Sequence, residues 1–106
     1  MTYVLKKYED INMIKVNDKS KLKSYYDFLT PLETHRDNSL ADTLAVYILD
    51  ANQSVSKTAA LTFSHTNTVQ YRLRKSKELL NIDLSDMSKI MFVAHALAIR
   101  RILQTM

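Results

Sequence analysis

The chain of 106 residues contains no glycine and a single proline, Pro31. Glycine lets a backbone pass through positive φ without steric cost. Its absence argues against a Gly-rich phosphate loop, a dinucleotide-binding fingerprint and the tight primed turns of β-hairpins. Helix interiors disfavour glycine, so the same absence fits a mostly helical chain. Where such a chain needs positive φ, Asn is the expected substitute.

Hydrophobic spacing bears this out along most of the sequence. Residues 3–8, TyrValLeuLysLysTyr, are compatible with a short N-terminal strand, and residues 9–17 read as a loop or short helix. Asn17 and Asp18 offer a cap to a helix with Leu22, Tyr25, Tyr26 and Leu29 at helical spacing, which Pro31 is expected to end or kink. Asp37, Asn38 and Ser39 precede a second helix, with Leu40, Leu44, Tyr47, Ile48 and Ala51 on one face, and AsnGlnSer at 52–54 breaks it. A third helix is expected at about 55–62, with Val55, Ala59 and either Leu61 or Phe63 facing inward.

The fourth helix is expected at about 67–80, capped by Thr66 or Ser64, with Val69, Leu73, Ser76 and Leu80 in one stripe. Asn81 suits a left-handed helix end, and the 81–86 loop leads to Ser85 or Asp86 as the next cap. The last helix, about 86–104, shows two apolar stripes: Met87, Met91, Ala94, Ala98 and Ile102, and opposite them Phe92, Ala96, Ile99 and Leu103. Such a helix is either central to the domain or shared between its core and a dimer interface. The fold class is therefore all-α, a bundle of about five helices.

Within that bundle, residues 54–80 read as a short helix, a tight turn and a longer basic helix. A helix-turn-helix that lays its second helix in the DNA major groove has this form. From Ala51 to Lys77 there is no Asp or Glu, while Lys57, Arg72, Arg74, Lys75 and Lys77 are all basic. That run more than accounts for the net charge of +4, and an anionic partner follows. Ala59 and Ala60 are small enough for two helices to cross closely, and Ser64 stands near the turn, where many such motifs carry glycine. Thr66, Asn67, Gln70 and Tyr71 are placed to meet base edges, with Thr68 also among the DNA-binding residues; Asn and Gln suit adenine, and Thr or Tyr suit thymine methyls or phosphates. Ser54, Ser56, Lys57 and Thr58 suit phosphate, through hydroxyls, charge and a helix N-terminus. Arg72, Arg74 and Lys75 supply the salt-dependent attraction to the backbone.

The segment HTNTVQYRL, His65 to Leu73, resembles the His-x-Asn-Thr-Val-x-Tyr-Arg-Leu signature of the C-terminal helix-turn-helix in PucR-type regulators. This bacterial family includes the purine catabolism and sugar diacid (CdaR-like) transcriptional regulators. The resemblance covers residues 38–103 well and 3–32 loosely. It implies sequence-specific binding to double-stranded promoter DNA, regulation of a metabolic operon, a homodimer, and an effector-binding domain upstream. It also divides the chain into residues 1–36, a remnant of the preceding domain with its connecting helix, and residues 37–106, the DNA-binding domain. Asn81 replaces the glycine usual after the recognition helix, and Ser76 and Lys77 stand where the family is more apolar or acidic. His65 is read as stabilising the turn or touching phosphate.

Other chemistries find little support. There is no cysteine, so no disulfide or thiolate site exists, and His35, His65 and His95 lack metal-ligand spacing. No catalytic residues and no cofactor are expected, and an enzyme is not. Asp83 and Asp86 read as loop solvation or capping. No apolar run reaches the length of a membrane span, and the N-terminus lacks a signal-peptide core, so a cytoplasmic protein without a membrane partner is expected. The alternative function is a helical protein–protein interaction or dimerisation module that does not bind DNA.

Overall fold

The computed structural model describes residues 19–104. Over that span the protein is all-α, with five helices and no strand. The 3–8 strand and the Asn17–Asp18 cap lie outside the described residues. Helix α1 is Lys19–Glu33, α2 is Leu40–Ala45 continued by a π-helical turn Val46–Asp50, α3 is Val55–Thr62, α4 is Thr66–Leu80 and α5 is Met87–Gln104.

Pro31 lies inside α1, which runs on to Glu33. The next residue, Leu32, is 1% exposed, so burial of that side chain offsets the backbone bond the proline removes. Tyr25 is buried beside Leu29, whereas Tyr26 points to solvent.

Helix α2 buries Leu40, Ala41, Leu44 and Ala45, and its π turn widens the coil before the chain leaves it. The Ala51 amide bonds the Val46 carbonyl at 2.8 Å, closing that turn. Tyr47 and Ile48 are half-buried against the core, while Ala51 is wholly buried. Asn52 and Gln53 then both take positive φ, 50° and 60°. Asn was the expected residue type there; Gln53 shows that adjacent burial and hydrogen bonds impose the conformation on a less suited residue.

The core joins side chains from all five helices, among them Leu32, Leu44, Ala59, Val69 and Leu97. Helix α4 packs across α2, α1 and α3, and α5 packs across α1 and α2. The stripe Val69, Leu73, Ser76 and Leu80 is the buried face of α4, as its spacing predicts. Asn81 ends that helix in the left-handed region at φ 53°, with its amide on the Glu78 carbonyl and that of Ile82 on Lys77.

Helix α5 answers to one of its two expected placements and not the other. Its core face is Val93, Ala96, Leu97 and Ile99. Met87 and Met91 are 69% and 56% exposed, so α5 is not a central helix buried on both sides. Phe92, at the edge, stacks tilted on Tyr25 and edge-on to Phe28. Asp86 caps α5, accepting from the amide and hydroxyl of Ser88, and Asp83 accepts in the same way from Ser85. These bonds hold both carboxylates below their ordinary pKa, the donors being Ser88 and Ser85. Arg100 binds Glu33 of α1 and Asp42 of α2, and Arg101 binds Asp50 through two bonds of 3.0 and 2.8 Å. No helix among the described residues is long and apolar enough to cross a membrane.

Candidate nucleic-acid interface

The turn between α3 and α4 decides how the second helix is presented. Helix α3 begins at Ser54, whose hydroxyl accepts from the Lys57 amide at 3.1 Å and lies 3.2 Å from the Ser56 hydroxyl. Thr58 is wholly buried, and its hydroxyl donates to the Ser54 carbonyl at 2.7 Å, so the phosphate-binding role considered for it is excluded by burial. Ala59 supplies the small buried contact at the crossing, and Ala60 faces solvent.

Helix α3 stops with the Ser64 amide on the Ala59 carbonyl and the Phe63 amide on the Ala60 carbonyl. This closure places Phe63 in the left-handed region, at φ 53° and ψ 39°. Phe63 thus occupies the position that glycine would suit, not Ser64. It is also turned outward, at 97% exposed, and Leu61 is 48% exposed, so neither is the inward residue expected of α3.

The cap of α4 is His65, in place of the Thr66 or Ser64 expected from hydroxyl preference. Its Nδ1 accepts from the Asn67 amide at 3.2 Å. With Nδ1 taken up as an acceptor, Nε2 is left as the ring's donor, at an exposed site. The imidazole joins the turn to α4 and leaves a polar edge exposed.

With Val69 and Leu73 held in the core, Thr66, Asn67, Gln70, Tyr71 and Arg74 of α4 are exposed. Thr68 and Lys75 are half-buried on one flank. The Arg74 guanidinium lies 5.9 Å from the Tyr71 ring centre, which orders both side chains along the ridge. Lys75 is 3.9 Å from Glu78, a loose pair that leaves its charge available. Arg72 is placed differently from the other basic residues of α4. Its Nε donates to Asp37 of the α1–α2 loop at 3.2 Å, and both side chains are largely covered. Asp37 also accepts from the Ser39 amide; chiefly that bond, with the Arg72 hydrogen bond and charge, holds its carboxyl below the ordinary range. The pairing ties α4 to the loop beneath it, and no sequence spacing signals it.

The structure therefore brings His65, Thr66, Asn67, Gln70, Tyr71 and Arg74 onto one exposed ridge. Ser54, Ser56 and Lys57 sit at the start of α3, and Arg72 is set inward. Among the described residues no group of three or more His, Asp or Glu could hold a metal ion.

Comparison with known proteins fits this geometry. The sequence profile of the PucR C-terminal helix-turn-helix domain matches residues 40–99, from the start of α2 to most of α5. The purine catabolism regulatory protein of Bacillus subtilis (strain 168) is 37% identical over 98 residues, 90% of this chain but 18% of that relative. The chain thus spans about a fifth of the length of the curated relative it matches. No solved structure matches it significantly.

Proposed function

This chain belongs to the family of PucR C-terminal helix-turn-helix domains, and on that premise we propose that it binds promoter DNA sequence-specifically and serves as the DNA-reading part of a transcriptional regulator of a metabolic operon. The observation that carries the proposal is the exposed N-terminal ridge of α4, polar and basic, on a helix whose opposite face is fixed in the core. A purine catabolism regulator as relative supports a catabolic operon as the target class.

In this proposal the first turns of α4 enter the major groove. Asn67 and Gln70 meet base edges, and Thr66, Thr68 and Tyr71 meet thymine methyls or phosphates. Ser54, Ser56 and Lys57 at the α3 N-terminus, the His65 Nε2–H, Arg74 and Lys75 bind phosphates. Arg72, held by Asp37, adds its charge to the field that attracts the DNA phosphates. Two copies would read half-sites about one helical turn, roughly 34 Å, apart. Residues 37–106 are the reading module. Residues 1–36 include α1, which braces the module's core and connects it to an effector-binding domain beyond this chain. The protein acts in the cytoplasm, without cofactor or catalysis.

The test is a titration of the 106-residue chain on labelled duplex from the region upstream of its own gene, against a shuffled duplex, at several salt concentrations. Affinity should favour the upstream sequence and fall steeply with salt. Weak binding with no preference and no salt dependence would contradict the proposal.

A further inference from the structure

Phe63 is the most exposed large apolar side chain among those described: it is 97% exposed, and no other exceeds 69%. Its backbone is also in the left-handed region, at φ 53°. That conformation is disfavoured for a bulky residue and open to Gly or Asn. Among the described residues, two of the other three positive-φ positions hold Asn, Asn52 and Asn81. The hydrogen bonds that close α3 run between backbone groups of Phe63, Ser64, Ala59 and Ala60, so they need the conformation but not the ring. Folding thus gains next to nothing from the phenyl group and is opposed by its backbone preference. The ring stands free on the surface, open to a partner.

Its position identifies the partner. Phe63 lies two residues before the His65 cap of α4, in the run from Ala51 to Lys77 that contains no acidic residue. Beside it, Thr66 and Asn67 begin the exposed ridge. The only extended apolar surfaces on duplex DNA within reach of a groove-entering helix are deoxyribose rings and thymine methyl groups. We infer that Phe63 is a DNA-contacting residue, packing its ring on the deoxyribose and thymine methyl surface of the strand beside the groove that α4 enters. This rests on the DNA binding proposed above. The contact carries no charge, so it adds affinity without adding to the salt dependence.

The experiment compares the full chain with Phe63→Gly, Phe63→Asn and Phe63→Tyr. Each is measured for urea stability, and for affinity to a 30-base-pair duplex pool enriched by the wild-type chain, at several salt concentrations. Phe63→Gly and Phe63→Asn are expected to be as stable as wild type or more so, and to bind about tenfold more weakly with the same salt slope, the scale of one lost apolar base or sugar contact. Phe63→Tyr is expected to bind nearly as wild type. Unchanged affinity in Phe63→Gly would overturn the inference. So would a loss of stability, which would make the ring a packing element, or an altered salt slope, which would make the effect electrostatic. Failure of the wild-type chain to enrich any duplex overturns the DNA-binding proposal itself.

Discussion

Gln70 and Lys75 lie five residues apart on α4, which at 100° per residue puts them roughly 140° apart around the helix. Gln70 is exposed at the N-terminal ridge, and Lys75 is half-buried on the far flank beside Glu78. Different jobs follow. Gln70→Ala should change which sequences are preferred, at a cost of roughly 1–3 kcal/mol for the base pair it reads. Lys75→Ala should weaken binding to all sequences alike and reduce the salt slope by about 1. Affinity selection from a random duplex pool, followed by salt titration, checks both; equal effects on every sequence would end this division of labour. Ser76 makes a second residue-scale case. It is wholly buried in α4, and its hydroxyl finds no hydrogen-bond partner among the described residues. Ser76→Ala should raise stability by about 1 kcal/mol, because it removes a buried unsatisfied group and improves helix propensity. A lower urea midpoint would show that the hydroxyl is bonded after all.

At the scale of elements, α4 is held from beneath by its apolar stripe and from the side by the Arg72–Asp37 pair. Asp37 has a carboxyl pKa below its ordinary value of 3.8, through the Ser39 amide and Arg72. A carboxyl with a depressed folded pKa adds stability above its unfolded value and loses that contribution as pH falls through the folded one. Asp37→Asn should therefore lose about 1 kcal/mol at neutral pH, and show a shallower fall in stability than wild type below about pH 4. Urea melts at pH 7 and pH 3 measure the difference; an equal deficit at both would rule out the linkage. The stripe was legible in the sequence, because the period of a single helix decides it. The Arg72–Asp37 pair was not, since its partners are 35 residues apart. Sequence spacing turns Phe63 inward for a local reason. Val55, Ala59 and Phe63 follow at i, i+4 and i+8, which continues the inward face of α3. The helix stops at Thr62, and the left-handed residue after it turns the ring outward. Sequence preference does not mark His65 as a cap, because hydroxyl, carboxylate and carboxamide side chains dominate such positions. In α5, Met87 and Met91 extend one apolar stripe onto the solvent side, while Ala96 and Ile99 of the other stripe share the packing with Val93 and Leu97.

Across the whole molecule, charge is sorted by use. The arginines of α5 are spent on the fold: Arg100 spans Glu33 and Asp42, and Arg101 grips Asp50. The basic residues of α4 other than Arg72 are left with loose partners or none stronger than an aromatic face. The bundle thus neutralises its own seams and presents its surplus charge around the helix-turn-helix, where a polyanion would meet it. Fold class, element order and the recognition helix were readable from periodicity and the His65–Leu73 signature; which side chains the bundle turns outward depended on turns and long-range pairs. The central claim, that the α3–α4 face is the DNA interface, is tested most directly by amide chemical-shift mapping of the chain during titration with the upstream duplex. The largest changes should fall at Lys57 and across residues 63–71. Changes confined to α5 around Met87 and Met91, with that face silent, would contradict it.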